Sequence, residues 1–187
     1  GALGTDACKV AFTLDYEFDS AWVTRAAGPV FDRMANSMVD AFVQRYGNTY
    51  HMWYIYGTKW QKFSDEAPPD RVYKIAHAIS ANGIEWRRDG RQIISDRLCP
   101  DECQALPTVI CLDGVYHMYF CYRQPYGFRQ DSSRAYRIGY ARSCDLENWE
   151  RDDSLAGIDV SAEGWDAQMQ CYPHVFECDG KVHLLYN

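Results

Sequence analysis

Residues 50–56 read YHMWYIY, and the pattern returns as YHMYFCY at 116–122 and as VHLLYN at 182–187, each time 66 positions later. Each copy follows a turn that contains glycine, and a shorter apolar run precedes that turn. Two apolar runs joined by such a turn are typical of a β-hairpin. A hairpin that returns at a fixed spacing indicates a repeat protein.

A second pair of apolar runs follows the first two copies. Residues 72–80 read VYKIAHAIS and residues 135–143 read AYRIGYARS, and each leads through a short polar turn to a tryptophan strand. The unit is therefore about four strands in roughly 65 residues. Apolar side chains occupy both faces of 50–56, as expected for a sheet stacked between other sheets.

These features predict an all-β protein, a β-propeller of four-stranded antiparallel blades that is incomplete in this chain. A β-sandwich predicts shorter spacing and no match at 66 residues. We expect one partial domain over 1–187: outer strands of a preceding or closing blade at 10–37, blades at 38–99 and 100–160, and inner strands of a further blade at 161–187. Because blades need neighbours, we expect a piece of a longer propeller or a homodimer that completes it.

Composition excludes several function classes. The 187 residues are 47% hydrophobic and 15% aromatic and carry a formal charge of -7, enough for one core. Without a basic block, we expect no nucleic-acid partner. Without 18 consecutive apolar residues, we expect no membrane helix. The eight cysteines form no CxxC pair, so we expect no metal or cofactor. No export signal is visible, so we expect a cytoplasmic protein.

Connections of two lengths alternate along the predicted meander, and the long ones fall on one face, which makes that face the functional candidate. Trp60, Tyr126 and Trp165 do not repeat and lie on these long connections, so we predict that their rings stack on substrate. The alternative is that they fold back over the blades. We predict that Arg123 binds substrate through its guanidinium, or else forms a plain ion pair.

Two stretches resemble the five-bladed propeller glycosidases, especially glycoside hydrolase family 43 and its relatives in families 32, 62 and 130. They are VDAFVQRYGNTYHMWYIY at 39–56 and YRIGYARSCDLENWER at 136–151. The resemblance implies hydrolysis or transfer at a glycosidic bond of a carbohydrate. It places Asp40 at the position of the general base, with Ala41 in place of the usual proline. Leu106 and Cys171 occupy the positions of the other two carboxylates.

Other carboxylates lie near the same face. We predict that Asp40, Glu102 and Asp166 converge on the propeller axis, with Asp40 as the base and Glu102 or Asp166 as the acid, because glycoside hydrolysis needs two carboxyl groups. The alternative is that each caps a turn or pairs with an arginine. The corresponding alternative function is a non-catalytic propeller that binds glycan or protein.

Overall fold

The computed structural model describes residues 41–62, 64–66 and 69–187 of the chain. These residues form ten β-strands and two short 3-10 turns, which confirms the predicted all-β class. The strands are β1 (Phe42–Tyr46), β2 (Thr49–Gln61), β3 (Asp70–Ser80), β4 (Arg87–Arg88), β5 (Cys103–Leu112), β6 (Val115–Arg123), β7 (Arg137–Ser143), β8 (Glu150–Arg151), β9 (His174–Cys178) and β10 (Lys181–Leu185).

The strands form three antiparallel sheets in chain order. The first sheet is β1-β2-β3-β4, the second is β5-β6-β7-β8, and β9 pairs with β10. Each strand therefore pairs with the next one, as a four-stranded meander requires. The described residues contain no closed ring of sheets, so the predicted propeller is present only as stacked blade-like units. The predicted outer strands at 10–37 lie outside the described residues.

The first long connection is shorter than the sequence indicates. β2 continues to Gln61 and β3 begins at Asp70, so part of the stretch 57–70, which reads as a connection in the sequence, is paired strand. The pairing of these strands shifts by one residue between Gly57 and Lys59. A β-bulge of this kind absorbs the extra residue and keeps the ladder intact. The connection itself is thus confined to 62–69.

The two four-stranded sheets repeat one turn between their third and fourth strands. The indole of Trp86 donates to the carbonyl of Gly83 (3.2 Å), and that of Trp149 donates to Leu146 (3.1 Å). In each turn a serine hydroxyl at the end of the third strand also accepts backbone N–H groups. The repeated tryptophans therefore lock turns.

The main core lies between the first and second sheets. Trp53 is fully buried there with Ile75, and Met118 and Phe120 come from the second sheet. The opposite face of β2 buries Tyr54 in a second cluster. β2 is therefore buried on both faces, as its sequence predicts.

The first strands of the three sheets lie side by side around a cavity of about 360 Å³. The amide of Val175 on β9 donates to the hydroxyl of Thr108 on β5 (3.3 Å). The rings of Phe42 and His174 approach to 6.5 Å between β1 and β9. Phe42, Thr108 and His174 stand 66 positions apart, so these contacts join equivalent positions of the first strands of the three repeats.

The repeated histidines bond within their own sheets. Nδ1 of His51 lies 3.0 Å from Nε2 of His77 on the next strand. In the second sheet, Nδ1 of His117 lies 2.6 Å from the hydroxyl of Tyr140. Burial is the main cause that lowers the pKa of His77 to about 4, and the neighbouring His51 contributes to the same shift. The first sheet thus carries a half-buried histidine pair that resists protonation.

We expect acid to destabilise the fold through this pair. Between pH 6.5 and about 4 the unfolded chain binds a proton at position 77 and the folded chain does not, so stability present above pH 6.5 is lost as pH falls. In His77→Tyr a tyrosine hydroxyl faces His51, as Tyr140 faces His117 in the second sheet. This variant should lose on the order of 2 kcal/mol less stability than wild type as the pH falls. Urea unfolding at pH 7.5, 5.5 and 4.5 measures it.

The exposed His183 on β10 supplies the control. His183→Tyr should follow the wild-type dependence on pH, because that ring is open to solvent. Identical pH profiles for wild type and His77→Tyr would contradict the role of the His51–His77 pair.

Candidate functional site

The long connections leave the sheets at one end, which we call the loop face. Because consecutive strands are antiparallel, successive connections lie at alternating ends of the sheets. The connections that follow β2, β4, β6 and β8 therefore share one end, and the tight turns lie at the other. The loop face is formed by the connections at 62–69, 89–102, 124–136 and 152–173. All described candidate residues lie on these connections or at the strand ends beside them.

Glu102 is fully buried between the first and second sheets. Its Oε1 lies 2.6 Å from Nη1 of Arg151, and its Oε2 accepts the backbone N–H groups of Arg97 and Leu98. Both carboxylate oxygens are therefore bound inside the protein. In this arrangement Glu102 joins the connection at 89–102 to the second sheet and has no oxygen open to a substrate.

A second ion pair, between a buried lysine and a half-buried aspartate, lies beside the first. Nζ of Lys74 on β3 contacts both carboxylate oxygens of Asp96 at 2.6 and 2.7 Å and also reaches the carbonyl of Glu102. The amide of Gln104 donates to Asp96 and to Glu102. These contacts link strands of both sheets through one polar network.

Asp166 lies in a different network. Its Oδ2 accepts hydrogen bonds from the Gln170 amide and the Tyr186 hydroxyl, each at 3.0 Å. Hydrogen bonds from Ser161 and Gln170 lower the pKa of Asp166 below its ordinary value. Asp166 is therefore ionised at neutral pH, which suits an acceptor or a base and disfavours the acid role.

The indole of Trp165 covers the neighbouring tyrosine. Its ring lies 5.3 Å from that of Tyr186, nearly parallel at 22°, and 76% of Trp165 is exposed. The hydroxyl of the same Tyr186 donates to Asp166. We call this pair of rings the Trp165–Tyr186 platform. It is a flat apolar surface that an ionised carboxylate holds in place.

Arg123 is only 2% exposed. Its guanidinium carbon lies 3.6 Å from the centre of the Phe128 ring and within 5.4 Å of the rings of Tyr73 and Tyr136. Its Nη2 lies 3.7 Å from Asp70. The guanidinium thus fills an aromatic cage of its own protein, so its predicted contact with substrate would require this cage to open.

Trp60 and Tyr126 are exposed on the loop face, each beneath an arginine. The guanidinium of Arg71 lies 5.2 Å from the Trp60 ring, and that of Arg134 lies 4.2 Å from the Tyr126 ring. Both rings keep exposed surface, so their predicted stacking on substrate stays a prediction. Asp40 lies outside the described residues, and its convergence with Glu102 and Asp166 also stays a prediction.

A cleft of about 490 Å³ opens on the loop face. Phe128, Arg129 and Tyr136 line it from the connection at 124–136, and Gln168 and Met169 line it from the connection that carries Asp166. Amide, guanidinium and aromatic groups in one cleft can hold a polar ligand that has apolar faces.

The sequence reasoning missed the paired residues Gln104 and Gln170. Both are fully buried, both stand three positions before a proline, and both donate to a candidate carboxylate. Their spacing of 66 residues is visible in the sequence. The repeat could have identified both glutamines as one recurring polar position near the start of β5 and β9.

The described residues, 41–62, 64–66 and 69–187, contain neither a metal-ligand cluster nor a helix suited to a membrane. Across these residues, no three histidine, cysteine, aspartate or glutamate side chains group as a metal site requires. In the same part of the chain, no helix has the length and apolar character that a bilayer crossing requires.

Sequence comparisons relate the chain to two kinds of protein. The chain is 32% identical over 166 residues to the uncharacterized protein MT1551 of Mycobacterium tuberculosis, a match that covers 89% of this chain and 51% of the relative. The chain thus spans about half the length of the curated relatives it matches.

A separate match concerns the N-terminal part. The family model for polyketide cyclase / dehydrase and lipid transport matches residues 2–43. The ribosome association toxin RatA of Pseudomonas aeruginosa is 46% identical over 44 residues, which cover 24% of this chain and 31% of RatA. Asp40 lies inside the stretch that the family model matches. That match points away from the glycosidases.

Solved structures with similar folds include glycoside hydrolases. Zg3597, a family 117 glycoside hydrolase of Zobellia galactanivorans, superposes with a TM-score of 0.62 at 22% identity over 79% of this chain and 47% of that chain. The α-L-arabinanase of Cellvibrio cellulosa, complexed with arabinohexaose, gives a TM-score of 0.51 at 15% identity over 79% and 44%. At these identities the likeness concerns the fold.

We expect Glu102→Gln to destabilise the protein by about 3 kcal/mol, because it breaks a buried ion pair and leaves Arg151 short of one counter-charge. Glu150→Gln is the control. Glu150 pairs with Arg142 at 2.9 Å, but both side chains are exposed, so its loss should cost less than about 0.5 kcal/mol. Chemical unfolding measures both, and equal costs would contradict the structural role of Glu102.

Proposed function

We propose that this chain is part of a carbohydrate-active protein of the propeller type and that its loop face binds a glycan. The observation that carries this proposal is the Trp165–Tyr186 platform. Sugar rings present apolar C–H faces and polar rims, so an exposed aromatic surface beside an ionised carboxylate and amide groups suits them. The glycosidase-like fold supports the same class of ligand.

The blade-like units support a propeller in which further sheets complete the ring. The exposed β10 edge and the cavity between the first strands leave room for such sheets, from a longer chain or from a second copy in a homodimer. A complete ring would enclose the cavity and bring more residues to the loop face. The whole assembly is therefore part of the proposal.

The second candidate function is cleavage or transfer at a glycosidic bond. The lowered pKa of Asp166 favours it, since an ionised carboxylate can serve as base or stabilise positive charge. Only 5% of Asp166 is exposed, so this role requires its hydrogen bonds to Gln170 and Tyr186 to open. Asp40 would be the second carboxylate. The buried ion pair of Glu102 favours the binding function instead, because it removes one candidate acid from the site.

Trp165→Ala tests glycan binding. We expect about tenfold weaker binding of soluble polysaccharides in affinity electrophoresis, equivalent to about 1.4 kcal/mol, because the exposed ring supplies the stacking surface. The control is Ile84→Ala, an exposed apolar residue in a tight turn at the opposite end. If Trp165→Ala and Ile84→Ala bind as wild type does, the platform is not the site.

Asp40→Asn and Asp166→Asn test catalysis on a panel of aryl glycosides. If the protein is an enzyme, we expect hydrolysis by wild type and at least a 100-fold lower rate in either variant, since the reaction needs both carboxyl groups. Retained glycan binding in these variants separates lost chemistry from lost folding. Turnover in neither wild type nor variant would leave binding as the function.

A further inference from the structure

The segment 123–137 is basic in an otherwise acidic chain. It reads RQPYGFRQDSSRAYR and holds four arginines and one aspartate, whereas the whole chain carries a formal charge of -7. The segment consists of the connection at 124–136 and the arginines that flank it, so its positive charge lies on the loop face. Because the rest of the chain is net negative, an acidic ligand would be steered toward this segment.

The cleft of about 490 Å³ presents this charge to solvent. Among the described residues that line it, Arg129 is the only charged one, and none is a carboxylate. The side chain of Arg129 is 68% exposed. The lining thus offers a cation without an opposing anion, which suits a ligand that brings a negative charge of its own.

The carboxylate beside Arg129 is shared with a second arginine. Nη1 of Arg129 lies 3.3 Å from Asp70, and Nη2 of Arg123 lies 3.7 Å from the other oxygen of the same carboxylate. Close hydrogen bonds between a guanidinium and a carboxylate measure about 2.7–2.9 Å. Two positive charges therefore face one loosely held negative charge, and an anion in the cleft can supply the second.

Arg129 is positioned before any ligand binds. Its guanidinium carbon lies 4.2 Å from the centre of the Phe128 ring, which lines the same cleft. This cation–π contact holds the planar group against the ring. A guanidinium held in this way loses less entropy when its fork binds a carboxylate or a sulfate.

Arg137 joins the two walls of the cleft. Its Nη2 donates to the carbonyl of Ser132 (3.0 Å) and its Nη1 donates to that of Gln168 (3.1 Å). These two residues line the cleft from different connections. The carboxylate of Asp159, which pairs with Arg137, is 81% exposed and 3.8 Å away. A second positive charge that is weakly neutralised therefore lies against the lining.

We propose that this cleft binds an acidic sugar, whose carboxylate or sulfate group pairs with Arg129. This inference rests on the proposed glycan-binding function and names the class of glycan. An acidic peptide carries similar charge. The ring of Phe128 and the exposed side chain of Met169, beside the amides of Gln130 and Gln168, favour a sugar, because a sugar has apolar faces and a rim of hydroxyl groups.

Polygalacturonate and its methyl ester test the assignment, because they share one backbone and differ in charge. We expect wild type to bind the acid roughly tenfold more tightly than the ester in affinity electrophoresis, and Arg129→Gln to lose about that factor for the acid alone. Arg87→Gln is the control. It removes the same charge from an exposed arginine on β4, beside a tight turn at the opposite end, and should bind as wild type does.

Dextran sulfate and dextran form the second arm. A sulfated ligand would bind more tightly than dextran and depend on Arg129 in the same way, so the two arms distinguish a carboxylate from a sulfate. Because Arg129 is mostly exposed, Arg129→Gln should unfold at the urea midpoint of wild type. A clearly lower midpoint would make Arg129 a packing residue and overturn its role in binding.

The remaining outcomes separate this inference from the proposed function. Equal losses in Arg129→Gln and Arg87→Gln, or equal affinity of wild type for poly-L-glutamate, would overturn the acidic-sugar site in favour of general attraction or of an acidic peptide. If wild type binds neutral polysaccharides through Trp165 but prefers neither acidic polymer, the glycan function stands and the acidic specificity falls. If no polysaccharide binds, both fall together.

Discussion

The structure depends on a strand that is buried on both faces. Trp53 and Tyr54 are neighbours on β2, point to opposite sides, and are both almost completely buried. A sheet with such a strand cannot leave either face to water, because each exposed aromatic side chain would cost a large part of the stability gained by burying it. Sheets must therefore stack, and the second sheet supplies Met118 and Phe120 for one side of this contact.

Stacking in turn determines where polar groups can lie. Along the loop face the two sheets meet at charged side chains, and these are matched with partners: Arg151 with Glu102, and Lys74 with Asp96. A buried charge without a partner would be strongly destabilising. The carboxylate of Glu102 is consequently committed to the contact between the sheets, which distinguishes it from Asp166, whose partners are neutral hydrogen-bond donors.

Repeated and unrepeated residues have different roles in this architecture. The residues that return every 63–66 positions, such as Trp86 and Trp149, lock turns or fill the core in each sheet. The aromatic residues that occur once, such as Trp165, are exposed on the loop face. The scaffold is thus built from the repeat, and the surface available for recognition is built from the departures from it. This division supports a glycan site on the loop face rather than in the core.

The sequence by itself determined the strands, their order and the face with long connections, because these follow from local alternation of apolar residues and from turn residues a few positions apart. It also determined that Trp165 lies on a connection and outside the repeat. Only the tertiary structure decided the state of each charged candidate. Glu102 meets Arg151 from 49 positions away, and Arg123 meets Tyr73 from 50 positions away. Whether a carboxylate or a guanidinium is free for a ligand depends on such distant partners, and no local pattern records which of them stacking brings within hydrogen-bond distance.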